Sequence, residues 1–196
     1  MTAAVLVAVV TREVPLGDRW GFWISLVLIQ GLPRLLILGS LRRWGGLFDR
    51  LGVVRFRVIN VACWTLALVF GTVATIVTVH RGGIGPAALP VAVVLFALRG
   101  VVHGIALGGG ALSWYLGHLH FARPEHAELY MGIHVSLTGL RGLVAPLLGI
   151  WLWHEIGWFV WLVALALSSA SVAMFGAMAR HEARFGMPTA PGDTTT

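Results

Sequence analysis

The residues able to do chemistry are few, and they stand inside apolar segments where charge is costly. His134, Thr138 and Arg141 recur at i, i+4 and i+7 and so share one face of a helix. Arg141 lies about 18 Å along its segment at the rise of an α-helix, too deep to reach either membrane surface easily. That face could line a solute path, with the guanidinium attracting an anionic group and the imidazole exchanging a proton near neutral pH. The alternative is structural: Arg141 would hydrogen-bond carbonyls freed by Pro146 or by a glycine bend in a neighbouring helix. Arg99 and His103, four apart, form a second polar face and a like-charged pair whenever the histidine protonates. Gln30 and Arg34 flank Pro33, where a kink could open backbone carbonyls to a cavity, although Arg34 is near enough to an end to snorkel. No aspartate or glutamate stands near the middle of any apolar segment.

The elements that must position these side chains are membrane-length helices. Hydrophobic residues make up 58% of the chain, charged residues 11%, and the mean hydropathy is +0.86, more apolar than a soluble domain of this size can bury. Five segments are long enough to cross about 30 Å of hydrocarbon: Trp20 to Leu41, Val58 to Val79, Pro86 to Leu116, Leu129 to Trp153 and Ile156 to Ala179. The third is overlong, and Gly108-Gly109-Gly110 is the expected place for it to bend. Gly100, Gly104 and Gly108 form a small-residue stripe that would let a neighbouring helix approach closely.

The fourteen basic residues are all arginine, as a GC-rich codon bias would produce, and the net charge is +6 with a pI near 11.2. They gather at segment ends rather than in an exposed basic stripe, which argues for topology and against nucleic-acid binding. Arg42, Arg43, Arg50, Arg55 and Arg57 place the first full connection in the cytoplasm. Alternation then puts Arg81 and His154-Glu155 outside, and Arg123, Arg180 and Arg184 inside. Residues 1–19 read as the end of a helix followed by an outer loop, 20–180 as the membrane bundle and 181–196 as a disordered cytoplasmic tail. Thr2 to Val10 is too short to cross a membrane and has no signal-peptide pattern. The single cysteine, Cys63, lies in an apolar segment and excludes an internal disulfide or a cysteine-built metal site.

The stretch Arg42-Arg43-Trp44-Gly45-Gly46-Leu47-Phe48-Asp49-Arg50-Leu51-Gly52 resembles the cytoplasmic signature of the major facilitator superfamily, approximately G-x-L-A-D-R-x-G-R-K. Gly45, Leu47, Asp49, Arg50 and Gly52 match in spacing. Phe48 replaces the usual small residue, Val53 and Val54 stand where a basic pair is expected, and Arg55 and Arg57 bring the charge two places late. Glycines suit tight turns at helix ends; Asp49 could cap a neighbouring helix or pair with Arg50 or another arginine. In the family this contact is read as a latch favouring one access state. A second likeness, to the superfamily's eleventh and twelfth helices, covers Glu128 to Gly142 and Ala145-Pro146-Leu147-Leu148-Gly149. Together they imply an all-α half bundle: five full transmembrane helices, equivalent to helices eight to twelve, after the end of a seventh.

The resemblance implies a secondary transporter, or its C-terminal half, moving a small solute by alternating access between two halves. The expected setting is a bacterial inner membrane with the C-terminus in the cytoplasm. The expected partners are lipid, a small-molecule solute, and a separate N-terminal half or a second copy of the chain. No cofactor, metal or enzymatic activity is expected, and the nucleotide-binding G-x-x-x-x-G-K-S/T loop is absent. Three other readings compete. The chain could be a non-functional truncated fragment. It could be an electron-transfer subunit holding haem between His103 and His134, or a hydrolase built on Ser113, for which no base is evident. His118, His120 and His126 could be metal ligands, although a solvated loop explains them better.

Overall fold

In a computed structural model of the chain, the described residues are Trp23, Val27, 31–80, Gly85, 87–117 and 126–185. They form helices and short connections and contain no strand. Four helices carry the fold: α1 (Leu32–Val79), α2 (Ala88–Leu116), α3 (Ala127–Ile156) and α4 (Val160–Phe185), with a 3-10 turn, Gly157–Phe159, between the last two. Residues 1–19, expected to hold a partial helix and outer loop, lie outside the described residues, as do 20–22, 24–26 and 28–30 of the first expected span and residues 186–196.

Among the described residues, three apolar helical runs are long enough to cross a membrane: Leu32–Val79, Pro90–Leu116 and Ala127–Arg184. The sequence leads instead to five separate full spans, a count the helices do not support. Two of the four connections expected to separate spans are themselves nearly all helical. Between Arg42 and Arg57 only Gly52 leaves helical geometry, with φ 70° and ψ 171°. His154 and Glu155, expected to be the outer turn, continue α3, which ends where Gly157 takes φ 57°. Both turns use glycine because left-handed φ is strained for a residue with a Cβ. The last helix also runs to Phe185, past the boundary at 180 expected for the tail.

Gly52 folds α1 back on itself. Trp44 and Asn60 are sixteen residues apart, about 24 Å along an unbroken helix, yet a Cβ on Gly109 would meet both. The first arm (32–51) runs parallel to α2, with Pro33 against Gly104 and Ser40 against Gly108. The second arm (53–79) runs antiparallel, with Asn60 bonded to Ala106, Trp64 beside His103 and Gly71 against Arg99. Along that arm α4 runs back in turn, placing Trp161 at Gly71, a hydroxyl pair Thr65–Ser168 at 2.8 Å and Phe175 at Arg57. Ala74, Phe96, Val160 and Trp161 form the buried apolar cluster where these helices meet, and Leu152 and Trp153 of α3 pack against it.

Glycine makes the α1–α2 contact possible. A Cβ on Gly104 would come within 2.7 Å of the Pro33 Cα and carbonyl oxygen, backbone that cannot move aside. The triplet Gly108-Gly109-Gly110, expected to bend α2, lies in an uninterrupted helix, with Gly108 and Gly109 serving as contact points. Polar demand is met locally: Thr72, Thr75 and Thr78 each donate a 2.8 Å hydrogen bond to the carbonyl four residues back. Pro33 and Pro90 sit in first helical turns, where the missing N–H is not needed. By contrast α3 is mostly exposed along Leu137, Leu140, Leu143, Leu147 and Trp151. Gly104→Val is expected to destabilise the protein by about 1–3 kcal/mol through overpacking, while Gly132→Val, at an open position, changes little. Thermal unfolding in detergent micelles measures both, and equal midpoints would refute the close-contact account.

Candidate functional site

A cavity of 610 Å³ opens between both arms of α1, α2 and α3. The second arm supplies Arg57, Asn60 and Trp64, spaced i, i+3 and i+7 and therefore on one face. Trp114 and Tyr115 come from α2 and Arg141 from α3. The Arg141 guanidinium carbon lies 4.9 Å from the centroid of the Trp114 ring, and the His134 ring lies 4.2 Å from the same indole at 54°. One tryptophan of α2 thus meets two residues of α3.

The other walls are fixed by contacts from outside the cavity. The Asn60 amide donates from Nδ2 to the Ala106 carbonyl at 2.8 Å, which leaves its Oδ1 as an available acceptor. Trp64 is braced edge-on by His103 at 4.8 Å, and the Arg57 guanidinium lies 5.9 Å from the Phe175 ring of α4. Among the described residues no aspartate or glutamate lines the cavity. Arg57 also borders a smaller cavity of 230 Å³ shared with Ser113, His134 and Phe175. A third, of 360 Å³, lies by Ser40, Arg43 and Trp44 on the first arm.

The expected site residues divide among three places. His134, Thr138 and Arg141 follow one face of α3, as their spacing predicts; His134 and Arg141 both reach Trp114, and the Thr138 hydroxyl donates to the His134 carbonyl at 2.7 Å. Arg141 is exposed to the cavity rather than folded onto carbonyls near Pro146. Arg99 is only 3% exposed and packs at Gly71, 5.9 Å from the Trp161 ring. Its Nε and the Trp161 Nε1 are buried with no hydrogen-bond partner among the described residues, and Arg99 lines none of these cavities. Arg34 is exposed and apart from them, and Gln30 lies outside the described residues.

Of the signature positions, Gly45, Leu47, Asp49 and Arg50 are helical and Gly52 is the turn; Asp49 and Arg50 are exposed. His103 and His134 are not brought together. His134 packs at Trp114, eleven residues beyond His103 on α2 and so about 16 Å further along the helix, too far for both to ligate one haem iron. Among the described residues no group of three or more His, Cys, Asp or Glu could hold a metal ion; His118 and His120 lie outside them. The Ser113 hydroxyl donates to the Gly109 carbonyl at 3.1 Å, so its proton is held by its own helix.

No protein-family model, curated protein or solved structure matches this chain. The cavity therefore has to be read from its own residues. Reading Arg57 as a loop arginine concealed it, because the second arm begins at Val53, directly after Gly52. The polar Asn60 at i+3 and Trp64 at i+7 were the available signal of a common face.

The Arg141–Trp114 contact predicts a measurable coupling. In a double-mutant cycle of Trp114→Leu and Arg141→Gln, denaturant unfolding in mixed micelles is expected to give a coupling energy of about 1 kcal/mol. A value near zero would mean that the guanidinium does not rest on the indole.

Proposed function

We propose that this chain is an integral membrane protein acting as the C-terminal half of a secondary transporter of the major facilitator type, and that the 610 Å³ cavity is part of its solute path. In this reading the two arms of α1 and the helices α2, α3 and α4 are five spans crossing alternately. The bilayer is a bacterial inner membrane, with the Gly52 turn and the C-terminus in the cytoplasm, as the arginine distribution favours. A separate N-terminal half or a second copy of the chain completes the path. The resemblance at Gly45, Leu47, Asp49, Arg50 and Gly52 supports the family reading, and the turn at Gly52 is where a signature joining two spans would need to reverse.

The observation that carries the proposal is a cavity bordered by two arginines among helices long and apolar enough to cross a membrane. Charged groups at such depth face a cavity or a protein interior, and two arginines from different helices, Arg57 and Arg141, border this one. Alternating access follows if α3 and its connection to α4 rock against α1 and α2, since α3 is the least enclosed helix.

Site-directed labelling tests this. Cys63→Ser removes the native thiol, and Ala111→Cys places a new one on the cavity wall. In native membrane vesicles of known sidedness, an impermeant maleimide is expected to label it from one face, with accessibility moving to the other face when the transported solute is present. Equal labelling from both faces at all times would mean a pore and defeat the proposal.

A further inference from the structure

Resting on the transporter reading for its setting, the cavity also specifies its solute: we infer that it binds a small aromatic carboxylate, a flat ring carrying an anionic group. The charge argument comes first. Arg57 and Arg141 border one cavity from α1 and α3, and among the described residues no acidic side chain lines it. The sequence contains no aspartate or glutamate between Arg50 and Arg123, so neither the second arm nor α2 can supply a counter-charge. Two like charges at one cavity repel each other, and no acid among its described lining residues compensates them. An anion between them removes both penalties, and a planar carboxylate matches the guanidinium fork through paired N–H donors. The Arg141 guanidinium carbon lies over the Trp114 ring, 4.9 Å from its centroid, and a guanidinium carries five N–H donors.

The shape argument is independent of the charges. Trp64, Trp114 and Tyr115 give the cavity aromatic walls, and the remaining lining includes Ile37, Val61 and Leu107. Gly110 leaves the wall beside Trp64 bare: a Cβ there would stand 3.6 Å from the indole Nε1 and 3.9 Å from Asn60 Oδ1. A flat ring fits beside these surfaces by stacking and edge contacts, with Asn60 Oδ1 able to accept from a ring N–H or hydroxyl. The volume of 610 Å³ lies within the range of small-molecule sites. Inorganic phosphate or a ring-free carboxylate would satisfy the arginines and leave the aromatic walls unfilled.

The test uses the full chain purified in nanodiscs of phosphatidylcholine and titrated by calorimetry with indole-3-acetate, indole-3-ethanol, tryptamine and acetate. Indole-3-acetate is expected to bind at least tenfold more tightly than each of the others, because only it carries both ring and anion. Arg57→Gln and Arg141→Gln are each expected to weaken it by about tenfold, whereas Arg55→Gln, exposed and outside the cavity, leaves it unchanged. Should a variant misfold, the ligand series on the unaltered chain still decides. Equal affinity for the acid and the alcohol would overturn the inference. So would binding of acetate as tight as that of the ring-bearing acid, or failure of the acid to bind while added phosphatidylglycerol is held through Arg57 and Arg141. Flux is measured separately in native membrane vesicles, where whatever completes the path is present: selective binding without uptake that depends on this chain upholds the ligand class and defeats the transport reading, while chain-dependent uptake of neutral solutes only does the reverse.

Discussion

Two neighbouring carbonyls on α2, those of Ile105 and Ala106, hold the fold in register. Trp44 Nε1 donates to the first at 2.7 Å and Asn60 Nδ2 to the second at 2.8 Å. The two donors come from opposite arms of α1, so a single stretch of α2 fixes both arms at once. Between apolar helices in hydrocarbon there is little hydrophobic drive to associate; close packing and interhelical hydrogen bonds must supply the specificity. Gly104, Gly108 and Gly109 allow the backbones near enough for those donors to reach, and the Gly52 reversal brings Trp44 and Asn60 to the same level. Without either, the arms would lose their shared reference point.

The cavity is the counterpart of that tight seam. Where α1 meets α2 through glycine, the helices close; where α2 meets α3, the contact is a tryptophan ring touched by His134 and Arg141. A bulky ring holds helices apart instead of drawing them together, and the space it props open is the one bordered by Arg57, Asn60 and Arg141. Tight packing on one side and aromatic spacing on the other thus produce a rigid wall and a more loosely held one from the same four helices.

Much of this was legible in the residues. Apolar runs marked the helices, the glycine stripe at 104 and 108 marked the close seam, and the i, i+4, i+7 spacing of His134, Thr138 and Arg141 marked one face of α3. The connections were harder to read. Arginines and glycines between Arg42 and Arg57 look like a loop, yet all except Gly52 are compatible with a helix whose end projects past the apolar zone, and helical geometry is what they adopt. Arg57 was miscast for that reason. Trp114 was invisible as a site residue because a tryptophan in an apolar run carries no signal of what it touches; its partners lie on a helix whose packing only the tertiary structure defines. His103 and His134 show the reverse error, since residues on adjacent segments can look paired when nothing in the sequence sets how far along each helix they fall.

The threonines of the second arm have a mechanical consequence. With Thr72, Thr75 and Thr78 each turned onto its own backbone, those hydroxyl protons are held within the arm and are not given to a neighbouring helix. The contact between Thr65 and Ser168 is different, a hydroxyl bridge between α1 and α4. A shear of α4 along this arm would have to release that bridge.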